Sequence, residues 1–518
     1  MTRTRLALPV LAAVAALAIA GCGGGGESSS DLAGFAAPGS LVFVEGKLQP
    51  SGELKSNVDS IANKVAGVES LGELIVEKLE EKTRDEGEPV DCASEVEPWL
   101  GEEGALAFKT VDAENEPSEL VMAIATTDPD ATQEFVDKQA EGSKHSYTDG
   151  SYKGIEFKVG GSEEQAVGVV DDFLVIAEDE NVFKAAVDAW QGESLADESR
   201  FQDAISAASD GSLADVYLDL GGLVEASEGE FEQVGQFFQS TGVDLSEATA
   251  VASVIPGSDE VEVALSSELS GTEPPPDGDA SKLIGTLPGD AFAAAGFAEF
   301  SDRVEKSLDE LDKEGIPGQI PPNQLKTSLR AMGIDVDKLA SSLEEGAVFA
   351  RGNSRDSLEG AMVLTSDSEE AAKTVANLGV LLRNTGTPGV TAVTRNGASG
   401  FSIRSDELGD KPLVVLAKGE RVAIGYGLPP ALAGLSSEGE TLSDRASYKA
   451  AVSALGDAPI SAFADGPAAL ELAEALVPRS KTGFWEATPY LKKIEFIAVG
   501  SGSNDDVATA RLIAGLKK

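Results

Sequence analysis

The residues best suited to chemistry in this chain are few. Two cysteines, Cys22 and Cys92, and one histidine, His145, occur among 518 residues. A two-histidine zinc motif is therefore impossible, and a clustered transition-metal site is not expected. A Ser-His-Asp triad would have to use His145, which sits in the loop-like run Ser143-Lys144-His145-Ser146 and reads as solvated. No Gly-x-Ser-x-Gly elbow supplies a serine for it. Lys481-Thr482-Gly483 matches one piece of the penicillin-binding pattern, yet no lysine has a serine three residues before it. No phosphate-cradling Gly-x-x-x-x-Gly-Lys-Ser/Thr loop occurs, and no acidic loop has the spacing of a built Ca²⁺ site. Glycosidase-like carboxylate pairs carry no information among 89 acidic residues. Trp99, Trp190 and Trp485 read as core or rim aromatics rather than binding platforms. The expectation is a protein without catalysis, cofactor or metal.

Cys22 differs from this background by its surroundings. Arg3 and Arg5 precede a 15-residue apolar run, Leu6 to Ala20, interrupted by Pro9. A spanning helix needs about 20 apolar residues, and a glycine tract ends this run. Small residues Ala20 and Gly21 lead into Cys22, in the order of an export signal cut before a lipid-accepting thiol. Ile19-Ala20-Gly21-Cys22 resembles a bacterial lipobox. Cleavage is expected between Gly21 and Cys22, with acyl chains such as palmitate on Cys22. Each buried CH₂ contributes about 0.8 kcal/mol, and two or more chains anchor stably. This places the protein on the extracytoplasmic face of the cell membrane. With Cys22 lipidated, Cys92 has no partner in the chain and reads as a small buried apolar residue.

The chain is strongly acidic, with 40 Lys and Arg against 89 Asp and Glu, a net charge of −49. Losing Arg3 and Arg5 on cleavage takes this to −51. Such a charge disfavours nucleic acid, whose binding needs cations on phosphates. It also repels anionic headgroups, so the body is expected to stand off the bilayer.

These residues need elements to carry them. Residues 1–21 form the signal peptide, and 22–37 the lipidated cysteine and a tether including GGGGESSSD. The tether spans about 20 Å root-mean-square. A first strand is expected at Ser40 to Val44 and a long amphipathic helix over Glu53 to Lys82, with Val58, Ile61, Val65, Val68, Leu71, Ile75 and Leu79 on one face. Strands at Ala105 to Val111 and Leu120 to Ala125 precede a helix capped by Asp128-Pro129. A hairpin turns at Asp171-Asp172, helices follow near Glu180 to Trp190 and Asp197 to Ala208, and another is expected near Gly229 to Ser240. A closing hairpin turns at Pro256 to Asp259. The Pro-rich stretch 271–282 reads as a linker.

The second half echoes the first. Gly346-Ala347-Val348-Phe349-Ala350 answers Gly104-Ala105-Leu106-Ala107-Phe108, and Leu442 to Tyr448 answers Leu195 to Phe201. The expected fold is α+β, two tandem repeats (38–270 and 283–518) of a mainly antiparallel sheet packed with helices. The Leu41-Val42-Phe43-Val44 opening, the Pro98-Trp99-Leu100-Gly101 turn and the strand-then-helix order together resemble the bacterial family called domain of unknown function 3352. Its members are often lipoproteins or membrane-anchored proteins of actinobacteria and cyanobacteria. The resemblance implies an extracytoplasmic setting and transfers no activity and no functional residues. The second half shows Leu343-Glu344-Glu345-Gly346 where the first has the Pro-Trp turn, so Trp99 reads as local packing.

Three function classes follow. The first is a lipid-anchored, non-enzymatic binding or scaffolding module of the cell envelope, with an envelope protein as partner. The second is a carrier of a lipid or other apolar ligand, to be recognised by an apolar pocket of about 300–1,000 Å³. An envelope hydrolase is the third.

Overall fold

Short strands joined by tight turns pair most readily with their neighbours in sequence, and the computed structural model follows that rule with a few long-range exceptions that define the fold. It describes residues 30–70, 72, 76, 90–111, 117–161, 164–226, 245–268, 279–297, 300–314, 321, 323–331, 335–366, 368–384, 386–405, 409–436, 438–504 and 507–517. Contacts divide the chain into two compact units. One ends at Pro274 and takes in 503–510; the other comprises Pro275–Gly502 and Arg511–Lys517.

The first unit contains β1 (Val42–Lys47), β2 (Leu100–Val111), β3 (Pro117–Thr126), β4 (Tyr147–Tyr152), β5 (Ile155–Gly160), β6 (Gln165–Val170), β7 (Phe173–Ala177), β8 (Ala214–Asp219), β9 (Thr249–Pro256) and β10 (Glu260–Glu268). They lie in the order β10-β9-β8-β1-β2-β3-β7-β6-β5-β4, antiparallel throughout. The remaining strands are β11 (Ala291–Phe297), β12 (Leu343–Arg351), β13 (Glu359–Ser366), β14 (Val390–Arg395), β15 (Ala398–Ile403), β16 (Leu413–Lys418), β17 (Arg421–Tyr426), β18 (Ile460–Asp465), β19 (Ile494–Asn504) and β20 (Val507–Leu516), all in the second unit except the end of β19 from Ser503 and the start of β20 to Ala510. Their order is β20-β19-β18-β11-β12-β13-β17-β16-β15-β14. From β19 to β14 every neighbour is antiparallel. The fold is α+β with an extensive antiparallel sheet.

Helices cover both faces of the first sheet, which explains the uninterrupted apolar runs at its centre. In β7, Val175 and Ala177 join a core with Phe183 and Val187 from the helix Glu180–Trp190 and Phe201 from the helix Ser199–Ser206. Leu174 and Ile176 point the other way, into a core with Val136 of the helix Pro129–Gly142 and with Trp99 and Cys92. That helix begins where the Asp128 carboxylate accepts from the Ala131 amide at 3.0 Å, with Pro129 in the first turn. The second sheet carries the helices Ser281–Gly285 and Ala446–Leu455 on one face and Ser368–Asn384 on the other.

Two expectations change. The helix begun at Gly52 breaks after Ala66, and helical residues recur at Gly72 and Val76, so the expected run to Lys82 is interrupted at Gly67; most of 71–82 lies outside the described residues. Gly67 takes φ +74°, and its amide caps Ala62 and Asn63 carbonyls, a left-handed stop that the apolar spacing overran. The strand expected from Ala105 begins at Leu100, with a bulge before Gly104. Residues 1–29, which hold Gly21 and Cys22, and the helix expected near Gly229 to Ser240 lie outside the described residues.

Candidate functional site

The residues singled out for chemistry do not converge. His145 is exposed, and its amide donates to Ser143 Oγ at 3.0 Å. Cys92 is buried, 2% exposed. Trp99 is buried against Phe135, its Nε1 donating to the Glu95 carbonyl at 2.6 Å. Trp190 stacks on Phe35 at 4.4 Å and donates to Asp171 at 2.7 Å. Trp485 donates to the Pro478 carbonyl at 3.2 Å beneath the Arg479 guanidinium. Among the described residues, no group of three His, Cys, Asp or Glu is placed to hold a metal.

Among the described residues, the sheets build concave sites instead, two of them at places that invite a ligand. The first, of about 520 Å³, lies where β1, β2 and β8 meet the end of the helix Ser199–Ser206. Strand register puts Glu45 directly opposite Asp215, and Lys47 opposite Glu103 at 3.4 Å. Asp215 accepts from Ser212 Oγ at 2.6 Å and Ser253 Oγ at 2.5 Å. Burial pushes the Glu45 carboxyl up to about 8; Glu103, Asp215 and Asp31 add to the rise, and Lys47 opposes it. Glu45 therefore holds its proton near neutrality and can donate a hydrogen bond. The corresponding point of the second sheet is Gly296, because Gly346 and Ala347 pair with Phe297 and Gly296 as Gly104 and Ala105 pair with Gly46 and Glu45. A Cβ on Gly296 would come within 2.8 Å of Ala280 Cβ and Ile284 Cδ1, so no acid fits there.

The second site is an open apolar groove of about 430 Å³ on the second sheet. It runs over β12, β11, β18 and β19, beside the region where the helix Ser368–Asn384 packs on β14 to β17. Alanine, valine, isoleucine and phenylalanine alone line it. The side chains on its face are those of Ala293, Ala295, Val348, Ala350, Ala462, Ala464, Ile497 and Val499, pointing away from the buried Ala294, Phe349 and Phe463.

Register shows how the groove arises. Phe43 pairs with Tyr217 and Ala107 in the first sheet, as Ala294 pairs with Phe463 and Phe349 in the second. Counting from these pairs, Val42, Val44, Leu106, Phe108, Val216 and Leu218 occupy the points taken by Ala293, Ala295, Val348, Ala350, Ala462 and Ala464. All six side chains are smaller in the second sheet. On β19 the trend reverses: Ile497 and Val499 stand where β9 has Ala250 and Ala252. The result is an alanine floor beside a taller aliphatic wall, in which Ile497 is 37% exposed. The sequence signal was Ala291-Phe292-Ala293-Ala294-Ala295, an alanine-rich run with weak strand propensity that nevertheless forms a strand.

The family model described as "Protein of unknown function (DUF3352)" matches residues 76–510. No curated protein matches the chain. Among solved structures, crystal form III of TP0453 is 14% identical over 48% of this chain and 83% of that one, with a TM-score of 0.24. Crystal form I of TP0453 is 10% identical over 80% and 98%, with a TM-score of 0.19. Likeness at that level carries no argument about fold or function.

Proposed function

The chain belongs to the DUF3352 family, and on that footing we propose that it is a lipid-anchored, extracytoplasmic, non-catalytic binding module that takes an apolar ligand in the groove of its second unit. The groove carries this reading. Its volume of about 430 Å³ falls in the range of ligand pockets, and its lining offers no hydrogen bond from any side chain, so the chemistry it recognises is hydrocarbon, such as an acyl chain. The anchor is the acylated Cys22 left by cleavage after Gly21, and the membrane is its first partner.

The two units are read as repeats of one α+β module. Their strand orders support this, as does a shared aromatic pair. Phe201 meets Tyr217 edge-on at 5.1 Å and 74°; Tyr448 meets Phe463 at 5.2 Å and 74°, with the two residue types exchanged. Each unit also has a capping box, Ser194 with Asp197 and Thr441 with Asp444. The following strand ends on an aspartate that caps the next helix and binds an arginine, Asp219 with Arg200 at 3.1 Å and Asp465 with Arg445 at 2.8 Å. On this reading the first unit kept a filled sheet face, and the second was cut back to alanine.

The test is to refill the groove with the first unit's side chains. Ala350→Phe with Ala464→Leu should reduce uptake of a fluorescent fatty acid at least tenfold, since displacing two buried methylenes removes about 1.6 kcal/mol. Unchanged uptake by the folded variant would refute the site.

A further inference from the structure

One stretch of the second unit has the opposite charge to the chain that carries it. Residues 477–493 read VPRSKTGFWEATPYLKK, with four cations, one carboxylate and three aromatic side chains. Their chain has 40 Lys and Arg against 89 Asp and Glu, so this composition is not that of the general surface. The stretch links the helix Gly466–Leu476 to β19 through the helix Thr482–Leu491.

Arg479, Lys481, Lys492 and Lys493 are all exposed. Lys517 joins them: its amide donates to the Lys493 carbonyl at 2.8 Å and its ammonium to the Lys492 carbonyl at 2.6 Å. Apolar and amphipathic side chains lie on this element and at the end of the helix before it. Tyr490 is 53% exposed and Leu476 43%. Trp485 is half-buried, fixed by its bond to Pro478, by Phe484 edge-on at 5.1 Å and by the Arg479 guanidinium 3.6 Å from its ring. The opposing carboxylates nearby are Glu474, paired with Lys492 at 3.2 Å, Glu486 on the outer side of the helix, and Glu495 at the start of β19. Five cations thus face three carboxylates, and one of those three is already engaged.

We propose that Pro478–Lys493 is a membrane-contact element that settles this unit on an anionic phospholipid surface. Its cations meet the phosphates, while Tyr490, Trp485 and Leu476 enter the headgroup layer. Aromatic side chains with one apolar and one polar end favour that layer, and cations beside them gain from the negative surface potential. The acidic remainder of the chain does not forbid the contact, because salt screens charges separated by more than about 8 Å. Lipid acylation holds a protein near a bilayer without orienting its body; a basic, aromatic element supplies orientation. The inference depends on neither the groove nor the acylation of Cys22.

The test uses the mature chain, residues 22–518 with Cys22→Ser so that no lipid anchor contributes. It is sedimented with vesicles of phosphatidylcholine alone or mixed with phosphatidylglycerol. The expected result is partition onto the mixed vesicles only, reversed by high salt. Lys481→Gln with Lys493→Gln should weaken it roughly 25-fold, from about fivefold per cation near the surface. Tyr490→Ala should weaken it without altering its salt dependence. Circular dichroism of each variant should match that of the parent, since all three side chains are exposed. Equal partition onto both vesicle types, no partition by the parent, or a double lysine variant that sediments like the parent would each overturn the proposal.

Discussion

Glu45 ties the first unit to pH. Its carboxyl rises from 4.5 to about 8 on folding, so the folded chain binds more protons than the unfolded chain between those values. Stability from this group is present in full below 4.5 and is lost as pH rises toward 8. Thermal melts should show Glu45→Gln with a flatter dependence through that window and a higher Tm than the parent at its alkaline end. A parallel pair of curves would contradict the assignment. Nothing in the sequence near Glu45 announces this, because its neighbours Glu103 and Asp215 arrive from other strands. The packing role of Trp99, by contrast, was legible from its absence in the second half. At Cys22 the prediction is direct: Cys22→Ala should leave the membrane fraction for the soluble one under a high-salt wash, which also releases contacts made by cations, and tight binding that survives that wash would refute the anchor.

Local elements were largely readable. The hairpin at Asp171-Asp172 and the Asp128-Pro129 helix start depend on neighbours in sequence, and both occur where turn and cap chemistry place them. Asp128→Ala should cost about 1 kcal/mol of stability in chemical denaturation. The long helix from Glu53 was misread because apolar periodicity continues past Gly67, whereas backbone handedness at that glycine does not. The order of strands was not legible either. β8 joins β1, and β18 joins β11, across more than a hundred residues, and no local pattern encodes such pairing. Phe463→Ala tests the aromatic pair it forms with Tyr448 and should cost about 3–5 kcal/mol; a smaller loss would mean the site collapses around the missing ring.

On the proposed reading, the whole chain is an anchor carrying two repeats that have diverged in opposite directions. One keeps a filled apolar face and an acidic cleft around Glu45; the other has glycine in place of the acid and alanine in place of the aliphatic face. The groove went unread because it is defined by what the second sheet lacks relative to the first, and that comparison needs strand register. Ile497, a wall of the groove, lies four residues beyond Lys493 of the basic element in the chain. Native mass spectrometry of the chain purified without detergent tests the central claim most directly. The expected result is a mass excess corresponding to an apolar ligand on the parent, lost in the Ala350→Phe, Ala464→Leu variant. A bare parent that also fails to take up added fatty acid, or a variant that retains the excess, would contradict it.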